Sequence, residues 1–129
     1  MARKHRLWEK KPDAKDYEAA RSFLSLIYPE EDARELVRAM RKTESVEHVA
    51  KDLLRASGMP LLPGTEAHVK EDLKKLRRGE PLAPVLLVRG DLSRQRALVI
   101  ADGYHRICAI CHYDEDAPVR CRIVKGAAR

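Results

Sequence analysis

The stretch Ala97–Arg106, "ALVIADGYHR", decides how the rest of the chain is read. A short apolar run, "ALVIA", stops at Asp102-Gly103, and polar residues follow. An apolar run bounded by a turn signal reads as a buried strand. Gly103 marks the turn, and a short helix is expected from about Tyr104 to Tyr113. The first amides of a helix have no partner within it, so such a start attracts anions. Gly103 lets a phosphate approach the backbone closely, while His105 and Arg106 add donors, arginine in bidentate fashion. Asp102 reads as a helix cap, or as a metal ligand or proton acceptor beside a bound anion.

Outward from this turn the pattern alternates. "APVLLVRG" is a second short apolar run, and "GDLSRQ" joins it to the first as a polar hairpin-type loop. After the helix, "DEDAP" is a turn and "VRCRIV" a last strand. Upstream, a basic helix is expected from about Ala67 to Arg78, with Val69, Leu73 and Leu76 inward and Gly79 as its stop. Lys70, Lys74, Lys75, Arg77 and Arg78 lie on its outer side, a solvated face or a track for a nucleic-acid backbone.

The N-terminal half reads as helical. Ala19, Ala20, Phe23, Leu24 and Ile27 form one stripe between Asp13 and Tyr28, and Ala33, Leu36, Val37 and Met40 form a second behind Pro29. Thr43 or Ser45 is expected to cap a third helix that buries Val46, Val49, Ala50, Leu53 and Leu54 and ends at Gly58 and Pro60. The resulting class is α/β. It has a basic tail over 1–12, a helical segment over 13–63 that packs on the core, and a small mixed sheet with helices over 64–125.

Cys108-Ala109-Ile110-Cys111-His112 matches the C-x-x-C-H pattern of covalent haem attachment. The two cysteines lie on a helix that starts directly off a buried strand, which leaves a haem little room, and no export signal is seen. His105, Cys108, Cys111 and His112 also fall within eight residues, but on a helix consecutive i+3 steps drift apart. A closed zinc site needs four convergent ligands. Cys108, Cys111 and Cys121 therefore read as small hydrophobes packed against the sheet, and no metal site is assigned to them.

The chain has 129 residues, enough for one core, with 44% hydrophobic and 36% charged residues. Its 26 Lys+Arg exceed 20 Asp+Glu by six, a bias toward anionic partners. No run approaches the roughly 18 apolar residues that span a bilayer, so no membrane partner is expected. The basic "MARKHRLWEKK" lacks the apolar stretch of a secretory signal. With three cysteines and no disulfide framework, a reducing cytoplasm is the expected location.

The segment from about residue 67 to 124 resembles the ParB/sulfiredoxin-like domain. The resemblance is carried by "VKEDLKKLRRG", "LAPVLLVRG", "ALVIADGYHR", "ICAICHYDEDAP" and "VRCRIV" in that order. The Gly-x-x-Arg turn Gly103-Tyr104-His105-Arg106 is its most specific element. The resemblance implies binding of a nucleotide or other phosphate ligand by Gly103, Tyr104, His105 and Arg106. Mg²⁺ with ATP, ADP or CTP would be the cofactor set. Tyr104 stands where sulfiredoxins carry their catalytic cysteine, which argues against that redox activity. The turn looks most like that of the free-serine kinases, which implies catalytic roles for Asp102 and for Glu80 near the first apolar run. A nucleotide-dependent phosphotransferase is one expectation. A non-catalytic nucleic-acid-associated or regulatory module, DNA-binding or nuclease-like, is the other. The N-terminal helices are compatible with core packing, a homodimer interface or a cover over the nucleotide site.

Overall fold

A strand without a polar residue has to be covered on both faces. Val85–Val88 is such a strand, each of its four residues 0% exposed. The computed structural model describes residues 6–126. In chain order they form α1 (Ala14–Leu24), α2 (Glu30–Lys42), β1 (Val46–Val49), α3 (Ala50–Ser57), α4 (Ala67–Arg77), β2 (Val85–Val88), β3 (Val99–Asp102), α5 (Tyr104–Tyr113) and β4 (Pro118–Val124). Among the described residues the strands make one sheet in the order β1-β4-β2-β3. The central pair β2–β4 is parallel, and both outer pairs are antiparallel. The fold is α/β, with helices on both faces of the sheet.

The side-chain period of two sorts the strand residues between the faces. Leu86, Val88, Ala101 and Val124 pack with Tyr17, Ala20, Leu24, Ala33, Leu36, Val37 and Met40 of α1 and α2. Val85, Leu87, Val119 and Cys121 pack with α3, α4 and α5 through Leu53, Leu54, Val69, Leu73, Ile107 and Ile110. The N-terminal helices are thus the second layer of the core. Arg122 ties that layer to β4, donating to the Tyr17 hydroxyl at 3.2 Å and to the Arg41 carbonyl at 3.1 Å.

Three expectations change. Val46–Val49 does not open the third helix; it pairs antiparallel with β4, Val46 opposite Cys121 and Val49 opposite Pro118, and α3 starts at Ala50. Positions 46, 49, 50, 53 and 54 fit a helical stripe, but the β-branched valines also suit a strand, and β4 offers an edge to pair with. In α1 the buried side is Asp16, Tyr17, Ala20 and Leu24, and the helix ends there, so Phe23 and Ile27 are 42% and 53% exposed. Residues 7–9 of the expected tail are docked. Trp8 is 2% exposed, bridges Leu82 and donates its indole N–H to the Pro118 carbonyl at 2.8 Å. Residues 1–5 of that tail lie outside the described residues. No helix among the described residues is long and apolar enough to cross a membrane.

Candidate functional site

The turn between β3 and α5 is built on Gly103. Its φ of +105° belongs to the left-handed side that side chains avoid. A Cβ there would also lie 2.4 Å from Val85 Cγ1. Glycine is therefore required both by the backbone and by the close approach of β2. As the residue capping α5 it brings no side chain to the helix amides.

Arg106, on the first turn of α5, faces inward. Nη1 donates to the carbonyls of Ala83 at 2.7 Å and Pro84 at 3.3 Å. Nη2 donates to Asp102 Oδ2 at 2.6 Å and Asp16 Oδ1 at 3.4 Å. The three side chains are 14%, 16% and 9% exposed respectively. This guanidinium joins the approach to β2, the end of β3 and the start of α1, and it does not line the neighbouring cleft. Two carboxylates share one cation there. Burial pushes Asp102 up to about 6, against the pull of Arg106 and with added repulsion from Asp16. Asp16 also accepts from the Asp13 amide at 2.8 Å, a local capping contact at the start of α1.

Alongside β3, one of the two edge strands, runs a cleft of about 1200 Å³. Val99–Gly103 line it together with Tyr104, His105 and the apolar walls of Phe23, Ile27 and Met59. Four basic side chains, Arg89, Arg94, Arg96 and Lys125, line it beside Asp32, Asp91 and Asp102. Arg94 lies 3.8 Å from Asp91. Tyr104 is fixed by its hydroxyl, which donates to the Pro60 carbonyl.

The turn therefore brings Asp102, Gly103, Tyr104 and His105 to the cleft and turns Arg106 away from it. Glu80 does not line the cleft. Its carboxylate accepts from Arg78 at 2.8 Å, and that bond holds it below the usual carboxylate range. Lys70, Lys74, Lys75, Arg77 and Arg78 are exposed on α4 and do not line the cleft either. Cys108 and Cys121 are fully buried in the core, and burial pushes the Cys121 thiol up to about 12. Cys111 is half-buried, and His112 Nε2 sits 2.7 Å from the Leu62 carbonyl.

A second cluster lies where the starts of α4 and α5 meet. Glu66 caps α4, its Oε1 accepting from the amides of His68 at 2.8 Å and Val69 at 2.9 Å. The Val69 amide, with help from His68, keeps this carboxyl ionised to lower pH than usual. Oε2 is 3.3 Å from His68 Nδ1, and Oε1 is 4.0 Å from His105 Nε2. The imidazole rings of His68 and His105 lie 4.7 Å apart, centre to centre. Asp72, one helical turn beyond His68, is half-buried. Burial raises its pKa against the pull of Arg106, Lys75 and both histidines.

No family model, curated protein or solved structure matches the chain. Sequence reading missed Asp16, Phe23, Ile27, Glu66, His68 and the basic residues along the cleft. The Asp13-x-x-Asp16 spacing signals a local cap, which hides the contact to Arg106 ninety residues away. Phe23 and Ile27 belong to an apolar stripe that looks like core until the helix is placed. The Arg94–Arg96 region reads only as polar loop.

Proposed function

We propose that the protein binds a phosphate-bearing ligand, a nucleotide, in the cleft along β3. Its phosphates would lie at the Asp102–Arg106 turn and its base among the apolar walls. The observation that carries this reading is the start of α5. That helix end is capped by a glycine without a side chain and opens into a roomy cleft that four basic residues line. Free helix-terminal amides and fixed cations are what a phosphate needs. The resemblance of residues 67–124 to ParB/sulfiredoxin-like domains points to the same turn. In this reading Gly103, Tyr104 and His105 meet the phosphate. Arg106 positions the turn from behind, and Asp102, which titrates near 6, is the proton acceptor of a phosphotransferase. Mg²⁺ would accompany the nucleotide, and Glu80 has no part.

The test is thermal unfolding with ATP, ADP and CTP, each with and without Mg²⁺. A ligand at a hundred times its Kd stabilises by about 2.7 kcal/mol. The shift should vanish in an Arg89→Glu/Lys125→Glu variant that melts normally without ligand. A wild-type protein that no nucleotide stabilises would remove the basis of the proposal. Suppose instead that DNA or RNA binds with steep salt dependence, and that neutralising Lys74, Lys75, Arg77 and Arg78 weakens it evenly across sequences. The function would then move to the outer face of α4, whose exposed cations support the nucleic-acid reading.

A further inference from the structure

We infer that Glu66, His68 and His105 form a binding site for one divalent transition-metal ion of the zinc class. Among the described residues, one donor atom from each lies within 4.8 Å of the others. A metal held at about 2.0–2.2 Å by nitrogen and oxygen needs its donors about 3–3.5 Å apart. Glu66 Oε2 and His68 Nδ1 already stand at 3.3 Å. The remaining closure is small, and both histidines have room to make it, being 73% and 42% exposed.

The carboxylate is held in place before any ion arrives. Two amide donors fix Glu66 Oε1, the kind of supporting bond that orients a metal ligand. Oε2 is the oxygen turned to His68. The positive ends of α4 and α5 oppose a cation there by about 0.3–1 kcal/mol each. The full charge of Glu66 sits nearer than either dipole, and Asp72, which Arg106 and Lys75 also influence, is a second carboxyl within electrostatic reach of both histidines. The attraction therefore wins.

Two imidazoles and one carboxylate are a borderline donor set. It suits Zn²⁺, Co²⁺ or Fe²⁺ and not Mg²⁺ or Ca²⁺, which take oxygen ligands. Three protein ligands also leave a tetrahedral ion one open position, the pattern of reactive rather than purely structural sites. His105 belongs to the wall of the cleft as well, so the ion would border the cleft. The inference stands without the nucleotide, since two of the three ligands, Glu66 and His68, lie outside the cleft.

The test uses the full chain stripped of metal with a chelator and titrated with Co²⁺ alone, read by its visible d–d absorption, with Zn²⁺ then displacing it. One equivalent should bind. Each of His68→Ala, His105→Ala and Glu66→Gln should weaken binding at least about tenfold, whereas Cys111→Ser and His112→Ala should leave it unchanged. Circular dichroism and a melt of each variant establish that it is folded. Glu66→Gln keeps an oxygen to cap α4. Wild-type protein that takes up no Co²⁺ overturns the inference. So does a near-ultraviolet thiolate-to-cobalt band lost in Cys111→Ser, and so does undiminished binding by a folded His68→Ala/His105→Ala variant.

Discussion

Replacing Arg106 with methionine keeps the apolar stem of the side chain and deletes its four donated hydrogen bonds. The two carbonyls of Ala83 and Pro84 lose a partner. Asp16 and Asp102, 9% and 16% exposed, lose the cation between them. Hydrogen bonds to charged groups contribute about 1.5–3 kcal/mol each, and the two to carboxylates dominate. Their full sum overstates the loss, because Asp102 already holds its proton up to about 6 and a neutral carboxyl is cheaper to bury. The expected destabilisation is about 3–5 kcal/mol near neutral pH, the cost of breaking one side of a buried ion pair. For a chain of this size that is a fall in Tm of about 12–20 °C, at roughly 4 °C per kcal/mol.

Urea unfolding at several pH values reads both the size and the cause. Without Arg106 the folded-state pKa of Asp102 rises further, and a group raised above its unfolded value loses stability as pH climbs toward the folded pKa. The deficit of the variant should therefore be largest near neutrality and shrink as pH falls to about 6, below which Asp102 keeps its proton in both folds. An Arg106→Met protein as stable as wild type to within about 0.5 kcal/mol at pH 7 would refute the inward, structural role of this arginine. A deficit that does not change with pH would refute the carboxylate account of it.

Two further outcomes follow from the same turn. Gly103→Ala should cost about 3 kcal/mol or more. The added methyl meets the fully buried Val85 at 2.4 Å on a backbone with φ of +105°, and Val85→Ala should recover only part of the loss. A urea midpoint equal to that of wild type would contradict this. In the unmutated protein Asp102 stays protonated in the fold from about 4 to about 6 while the unfolded chain ionises. Its contribution falls by about 3 kcal/mol as pH rises through that window. Asp102→Asn should flatten this part of the stability–pH curve, and an unchanged slope there would assign it to other groups.

The elements around the turn were legible because their signals are local. β2 has no polar residue and sits between Pro84 and Gly90, and the Asp102-Gly103 step can hardly continue either a strand or a helix without glycine. The helix stripes of α2 and α4 appear as read, with Ala33, Leu36, Val37 and Met40, and Val69, Leu73 and Leu76, buried. β1 escaped because four residues with a valine at each end fit a strand or a helical face equally well, and only the open edge of β4 chooses between them.

From sequence alone, then, came the strand–turn–helix, the place of Gly103 at its turn and the buried character of Cys108 and Cys121. Each follows from backbone sterics or from apolar spacing within about ten residues. The direction of Arg106 was settled only by tertiary structure. Its partners come from α1, from the approach to β2 and from the end of β3, and nothing within one turn of sequence reveals where their oxygens meet. The same holds for Glu66, His68 and His105, which two helix starts bring together across nearly forty residues. A site built from separate elements exists only once the core has packed, because packing alone sets the distances on which ion pairing and ligation depend.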